Sequence, residues 1–227
     1  MLGGIIVLYR DAFKESGGAF ARSAMIWPLP VGILFVLQVG GALLAPLGII
    51  GGLVHFVLSS YLYGAYLYLV GEALSRRAPM TVQDIKESFG HHMREVMNLL
   101  FLFWILGLAL SMGVSNGQIT STVAFVIMMS VAVLFNPCPE IIHQDRNVGG
   151  MEILAKSFRW MSENGPEWVP NLVLTAVVFF VLMELTGVLL GVLICGALIH
   201  PWMLFRGALY RGIGGSSRRS RDWQSRF

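Results

Sequence analysis

Six apolar runs separated by short polar segments constrain the fold of this chain more than any other feature of its sequence. Hydrophobic residues make up 56% of its 227 positions and charged residues only 13%, against about 25% charged in soluble domains. A soluble fold could not bury that much apolar surface, so the runs predict helices that cross a membrane. The predicted spans are about 24–44, 49–74, 96–111, 119–135, 168–183 and 188–209.

A short polar motif recurs ahead of each pair of runs. Its serines, Ser16, Ser88 and Ser157, lie 72 and 69 residues apart, close to a third of the chain. Recurrence at a fixed period is typical of internal repeats. We therefore predict an all-α polytopic membrane protein of six transmembrane helices arranged as three hairpins, each preceded by a cytoplasmic interfacial amphipathic helix. The predicted repeats are about 1–78, 79–148 and 149–210, followed by a basic, flexible tail over 211–227.

Each interfacial helix has its own boundary signals. Residues 1–22 place charged side chains on one helical face and apolar ones on the other, which predicts a retained surface helix. Thr81 and Asp84 have the spacing of a capping box and predict the start of the second helix, which we expect to continue into the third span. The third helix should begin near Gly150 and end at a C-cap formed by Asn164 and Gly165.

The basic residues all fall on one side of this scheme. The turns predicted to join spans one and two, three and four, and five and six contain no Lys or Arg, so all 16 lie on the opposite side. The positive-inside rule then places both termini in the cytoplasm, in a multi-pass inner-membrane protein. We expect basic side chains near the membrane to face anionic lipid or a partner. They are Arg76, Arg77, Arg211, Arg218, Arg219 and Arg221.

Polar residues in or near the spans are candidates for function, since ionisable groups are expensive to bury in a membrane. They are His55, Tyr61, Tyr66, Glu72, Glu140, His143 and His200. Each has a structural alternative. Glu72 can pair with Arg76 one turn away, and the tyrosines can pack across helices. Glu140 and His143 have a spacing used in di-iron bundles, but the further glutamates are missing, so ordinary interfacial solvation is the preferred interpretation.

The chain has no nucleophile motif, phosphate-binding loop or zinc-ligand pattern. We therefore predict a protein that is not an enzyme, with no catalytic residues, no cofactor and no metal, and that does not bind nucleic acid. Cys138 and Cys195 fall at or within apolar runs, and we expect no disulfide between them.

One stretch resembles a known group. Pro139, the Ile141-Ile142 pair, Gln144 to Asn147, the Gly149-Gly150 pair and the helix with Lys156 to Trp160 resemble uncharacterised six-helix prokaryotic membrane proteins. That group includes the membrane domain fused to some glycerophosphodiester phosphodiesterases. The resemblance implies a membrane module without known chemistry.

Three functions compete at this point. The preferred hypothesis is a non-catalytic accessory or scaffold subunit that docks a partner complex or anionic lipid through its cytoplasmic helices, alone or as a homo-oligomer. The alternative is a transporter or channel-like protein, in which His55, Tyr61, Tyr66 and His200 would face one cavity. The third is a lipid-binding or lipid-modifying protein acting near Glu140, His143, His91 and His92.

Overall fold

The computed structural model describes residues 2–145 and 148–215, apart from the side chains of residues 2 and 179–192. All elements in this part of the chain are helical, and it contains no strand. Two 3-10 turns, Ala24–Ile26 and Ala45–Leu47, lie between the first three α-helices. The helices are α1 Leu2–Ser23, α2 Leu29–Leu44, α3 Gly48–Ser75, α4 Val82–Ser88, α5 Met93–Ser115, α6 Ser121–Leu134, α7 Cys138–Gln144 and α8 Gly150–Gly215.

Helices α2 and α3 form an antiparallel hairpin, as the apolar pattern predicts. The reversal occurs at Gly48, whose φ of 57° lies in the left-handed region that favours glycine. Beyond the turn the two helices pack closely, because a Cβ at Gly41 would lie 3.3 Å from the ring of His55.

The two ends of α8 also lie side by side. The ring of Trp160 stacks on that of Tyr210, with centroids 4.9 Å apart. In a straight helix, residues so far apart in sequence would be separated by about 75 Å. The chain therefore reverses direction between them. The structure assigns the backbone of residues 184–187, where the sequence predicts the turn, to helix α8.

Helix α3 is the centre of the molecule. It packs against α1, α2, α4, α5, α7 and α8, and its C-terminal half is buried, with Leu69 and Val70 fully inaccessible. Helix α1 lies along α8 through a stripe of mostly small side chains. The stripe comprises Leu8, Ala12, Ser16, Ala19 and Ser23.

Four described helices or helical pairs are long and apolar enough to cross a membrane. They are Leu29–Ser75, which contains the α2–α3 hairpin, Met93–Ser115, Ser121–Gln144 and Leu193–Gly215. Large apolar side chains such as Phe35, Phe101 and Phe125 point outward from these helices. A water-exposed surface of that kind would be unstable, so these helices are consistent with a helical membrane protein.

The second interfacial helix does not continue into the third span, contrary to the sequence prediction. Helix α4 ends at Ser88, and α5 begins at Met93. Between them Gly90 and His92 adopt φ values of 89° and 52°. This turn lies directly against α3, where a Cβ at Gly64 would come within 2.6 Å of the His91 carbonyl oxygen. The chain therefore turns between α4 and α5 and packs closely against α3 there, instead of continuing as one helix.

The predicted C-cap at Asn164 and Gly165 is also wrong, because α8 continues through Pro166 and Pro170. The side chain of Asn164 instead donates to the Trp160 carbonyl within the helix. Beyond Pro166, Tyr9 of α1 bridges a gap in the backbone hydrogen bonds of α8. Its hydroxyl donates to the Glu167 carbonyl at 3.0 Å and accepts from the Asn171 amide at 2.9 Å. These two groups would pair with each other in a regular helix, so the tyrosine bridges the gap.

Candidate functional site

A buried ion pair joins α7 to α8. Arg206 donates from Nε to Glu140 Oε1 at 2.7 Å and from Nη2 to Glu140 Oε2 at 2.9 Å. The Glu140 side chain is fully inaccessible and that of Arg206 is 8% exposed. The expectation that Glu140 is solvated at the interface is therefore wrong, because a bidentate arginine replaces water around the carboxylate.

Further contacts fix the position of this arginine. Its Nη2 also donates to the Asn136 carbonyl at 2.8 Å, and its guanidinium carbon lies 5.4 Å from the Trp168 ring centroid. Trp168 in turn donates from Nε1 to Asn136 Oδ1 at 3.0 Å. These contacts among Asn136, Trp168 and Arg206 connect the turn between α6 and α7 to both ends of α8. Arg206 is not among the basic residues singled out from the sequence.

His200 forms a second buried polar cluster. Its Nε2 lies 3.0 Å from Ser23 Oγ and its Nδ1 lies 3.3 Å from the Tyr66 hydroxyl. Ser23 already uses its only proton on the Ala19 carbonyl at 2.8 Å. With that proton on Ala19, the pairing that satisfies every group has Nε2 donating to Ser23 and Nδ1 accepting from Tyr66. This arrangement connects α1, α3 and α8.

The four polar residues considered for a transport path do not all meet. Tyr66 and His200 are in contact. Tyr61 instead stacks on Phe89 with ring centroids 5.4 Å apart, while His55 packs against Gly41 in the α2–α3 hairpin.

The end of α3 carries a compact charged group. Arg76 pairs with Glu72 at 2.6 Å, which confirms the predicted ion pair, and it also binds Asp84. Hydrogen bonds from the backbone amide and the hydroxyl of Thr81 lower the pKa of Asp84, and the Asp84 hydrogen bond raises the pKa of Arg76. The Thr81–Asp84 capping box is confirmed.

The remaining predicted basic residues lie in different surroundings. Arg77 is exposed, and Arg211 lies 3.3 Å from Glu15 of α1. Arg218, Arg219 and Arg221 lie outside the described residues.

A polar cavity of about 760 Å³ opens beside the charged group formed by Glu72, Arg76 and Asp84. His143 lies in its wall, held between the backbones of two glycines: a Cβ at Gly71 would meet the His143 carbonyl at 2.8 Å, and one at Gly207 would meet its ring at 3.1 Å. Both ring nitrogens of His143 are buried without a hydrogen-bond partner in the described part of the chain. Burial lowers the pKa of the neighbouring His92. The lining residues are Tyr68, Gly71, Glu72, Leu74, Ser75, Gly90, His91, His92, Arg94, Glu95, Ile142, His143, Gln144, Asp145 and Arg211.

The histidines of this cavity do not form a metal centre within the described residues. No three His, Cys, Asp or Glu side chains come together there in a group that could hold an ion. Glu140, which shares a helical turn with His143, is occupied by Arg206.

A second cavity, of about 360 Å³, is almost wholly apolar. It lies between α2, α3, α5, α7 and α8, and Ile142 borders both cavities. The lining residues are Pro30, Ile33, Leu34, Tyr63, Tyr66, Leu67, Val96, Leu99, Leu100, Pro139, Ile142, Ile199 and Met203.

The three motif serines are all buried. Ser16 and Ser88 donate to carbonyls three residues earlier in their own helices, whereas Ser157 donates across to the Leu134 carbonyl. Apolar side chains on these three helices, or directly after them in the case of Phe89, are exposed in pairs seven residues apart, a pattern that was not predicted from the sequence. The pairs are Ile6 and Phe13, Val82 and Phe89, and Met151 and Phe158.

No family model, no curated protein and no solved structure matches the chain. The resemblance to the membrane domain of glycerophosphodiester phosphodiesterases therefore stays a prediction.

Proposed function

We propose that the chain crosses the inner membrane six times, as three hairpins with both termini in the cytoplasm. Three observations support this topology. Helices α2 and α3 are antiparallel, α5 and α6 are adjacent helices joined by a short turn, and the two ends of α8 lie side by side. In such a scheme every Lys and Arg falls on the cytoplasmic side.

The burial of Ser16, Ser88 and Ser157 supports three related repeats in this scheme. The second and third copies agree most closely. Val82 and Phe89 have the same spacing from Ser88 that Met151 and Phe158 have from Ser157.

We propose that the protein is a non-catalytic accessory subunit whose interfacial helices dock on the anionic cytoplasmic leaflet. The observation that carries this function is the exposed pair on each helix. Phe89 and Phe158 are 43% and 54% exposed, beside the exposed cations Lys86 and Arg159. Apolar side chains that insert between lipids, flanked by cations that attract anionic head groups, are the usual means by which a helix binds a membrane surface.

The test uses protein in nanodiscs, with and without anionic lipid. We expect hydrogen exchange over residues 82–89 and 150–160 to be slower with anionic lipid. The double variant Phe89→Asp/Phe158→Asp should lose that protection, since each added carboxylate is repelled by the head groups and cannot enter the apolar layer.

The matched control is Gln83→Asp/Ala155→Asp, which adds the same charge at exposed positions of the same helices. It should keep most of the protection. Protection that is indifferent to lipid charge, and that arises only when another membrane protein is added, would replace lipid docking with docking on a protein partner.

A further inference from the structure

The two cavities are stacked along the same helices, with the polar one toward the charged end. On α3 the apolar cavity is lined by residues up to Leu67, and the polar cavity by residues from Tyr68 onward. On α5 the lining changes from the polar to the apolar cavity between Glu95 and Val96. Helix α7 repeats the pattern, since Pro139 borders the apolar cavity and His143 the polar one. On α3, α5 and α7 the lining thus changes from apolar to polar at the same depth in the helical bundle.

Ile142 lies at that level and borders both cavities. A molecule that occupied both would therefore place an apolar portion among the membrane-embedded helices and a polar portion at their charged end. This is the orientation of a lipid, because the same order of apolar and polar surroundings exists across a bilayer leaflet.

The apolar cavity sets the size of the chain that it can hold. Its volume of about 360 Å³ corresponds to about 12 methylene-sized groups at roughly 30 Å³ each, the volume of one liquid water. That is one medium-length acyl chain. The cavity is partly open, so this volume measures only the portion of the chain that lies inside it.

Charge pairing in the polar cavity indicates the head group. Its three carboxylates already have cationic neighbours: Glu72 lies 2.6 Å from Arg76, Asp145 lies 3.3 Å from Lys156, and Glu95 lies 3.5 Å from Arg94. The guanidinium of Arg211 lies 3.3 Å from Glu15, but its Nε and Nη2 are buried without a hydrogen-bond partner among the described residues. Because the charges of the cavity are already paired, we expect it to favour an uncharged head group whose oxygens can accept from Arg211.

His143 supplies further unused hydrogen-bonding capacity. A neutral imidazole offers one N–H donor and one acceptor nitrogen, and neither ring nitrogen of His143 is bonded to another described residue. A hydroxyl group both donates and accepts, so it matches either nitrogen. Because both nitrogens are buried, the ring must turn toward the cavity for the hydroxyl to reach one of them.

We propose that the stacked cavities bind a single-chain amphiphile with an uncharged, hydroxyl-bearing head group, its acyl chain beside Leu99 and its head group beside His143. The apolar cavity is separate from the interfacial helices, whereas the polar cavity reaches the turn after α4. The site goes beyond the leaflet docking proposed above. Variants at Phe89 and Phe158 do not touch the apolar cavity, so either proposal can fail without the other.

The experiment uses the full chain in phosphatidylcholine nanodiscs and a photoreactive monoacylglycerol of about 12 carbons as the probe. We expect crosslinks to the cavity-lining parts of α3 and α5, competed by unlabelled monoacylglycerol but not by a fatty carboxylate of equal length. Labelling confined to outward residues such as Phe101 and Trp104 would overturn the site. Equal competition by the carboxylate would overturn the uncharged head group.

Leu99→Trp fills the apolar cavity and should lower specific labelling at least about tenfold, because a well-packed helical bundle accommodates extra volume poorly. Leu108→Trp, at an outward position of the same helix that is 47% exposed, is the matched control and should label as wild type does. Thermal unfolding in the same nanodiscs reports whether each variant folds. If Leu99→Trp does not, Leu34→Phe fills the cavity from α2, and retained labelling in that variant would contradict the proposal.

His143→Phe keeps the ring and removes both nitrogens. It should weaken labelling about fivefold, the effect of one ordinary hydrogen bond, while competition by an alkane should improve relative to monoacylglycerol. Unchanged labelling with an unchanged order of competitors would show that His143 does not meet the head group.

Discussion

Individual side chains decide how the two ends of α8 join the rest of the molecule, and the Glu140–Arg206 pair is the clearest case. Removing one member leaves a buried charge without its counterion, so Arg206→Met or Glu140→Leu alone should cost about 3–5 kcal/mol of folding free energy. The double variant should cost less than either single change, because no uncompensated charge remains. Unfolding in mixed micelles, arranged as a double-mutant cycle, measures the coupling.

Lys156→Met provides the control for this cycle, since Lys156 is 42% exposed and its partners are also accessible. Its loss should cost no more than about 1 kcal/mol. Additive single effects at Glu140 and Arg206 would contradict the interpretation of the pair. Sequence alone could mark Glu140 as a candidate, because ionisable groups near apolar runs are unusual. The sequence could not identify Arg206 as the partner of Glu140, because Arg206 lies 66 residues away and resembles the other basic residues near the end of the last span.

At the scale of single elements, α4 depends on its first turn. The hydrogen bonds from Thr81 lower the pKa of Asp84. A carboxyl whose pKa is lower in the folded than in the unfolded state contributes stability that is present above about pH 4 and is lost as the pH falls through the folded pKa. We therefore expect Asp84→Asn to unfold at a lower temperature than wild type at pH 7, with the difference shrinking below about pH 4.

Melting temperatures measured at several pH values check this, with Glu163→Gln as an exposed carboxylate control. A difference between wild type and Asp84→Asn that does not shrink at all as the medium is made more acidic would contradict the role of the ionised carboxyl. The sequence predicted this cap correctly because a capping box is local. The break at Gly90 and His92 depends on contact with Gly64, and the continuation through Pro166 and Pro170 occurs alongside the bridging hydroxyl of Tyr9. Neither contact has a local sequence signal.

The whole molecule makes a prediction about sidedness. In the proposed topology α1 and the end of α8 face the cytoplasm, while the turn between α5 and α6 faces outward. A membrane-impermeant maleimide applied to intact cells should label Asn116→Cys and should reach Lys14→Cys or Gly215→Cys only after the membrane is opened. The native Cys138 and Cys195 are buried and should give little background. Labelling of Lys14→Cys and Gly215→Cys from opposite faces would mean an odd number of crossings.

Hydropathy was sufficient to place most of the apolar helices at this scale, since spans need only length and composition. The predicted second span, 49–74, agrees with α3 at Gly48–Ser75. Hydropathy could not place α7, a short helix of 7 residues after Pro137 that lies between α3 and α8. Its position depends on the close approach that Gly71 and Gly207 allow.

The order of synthesis gives the ion pair between α7 and α8 one more consequence. A ribosome releases Glu140 well before Arg206, because 66 residues separate the two. During that interval the acidic group lacks its final counterion, so the nascent helices cannot reach their mature packing until the last segment is inserted. A polypeptide halted before residue 206 would retain an orphan carboxylate, a defect that membrane proteases and chaperones could detect. The Glu140–Arg206 contact can therefore form only after the last segment of the bundle has been synthesised.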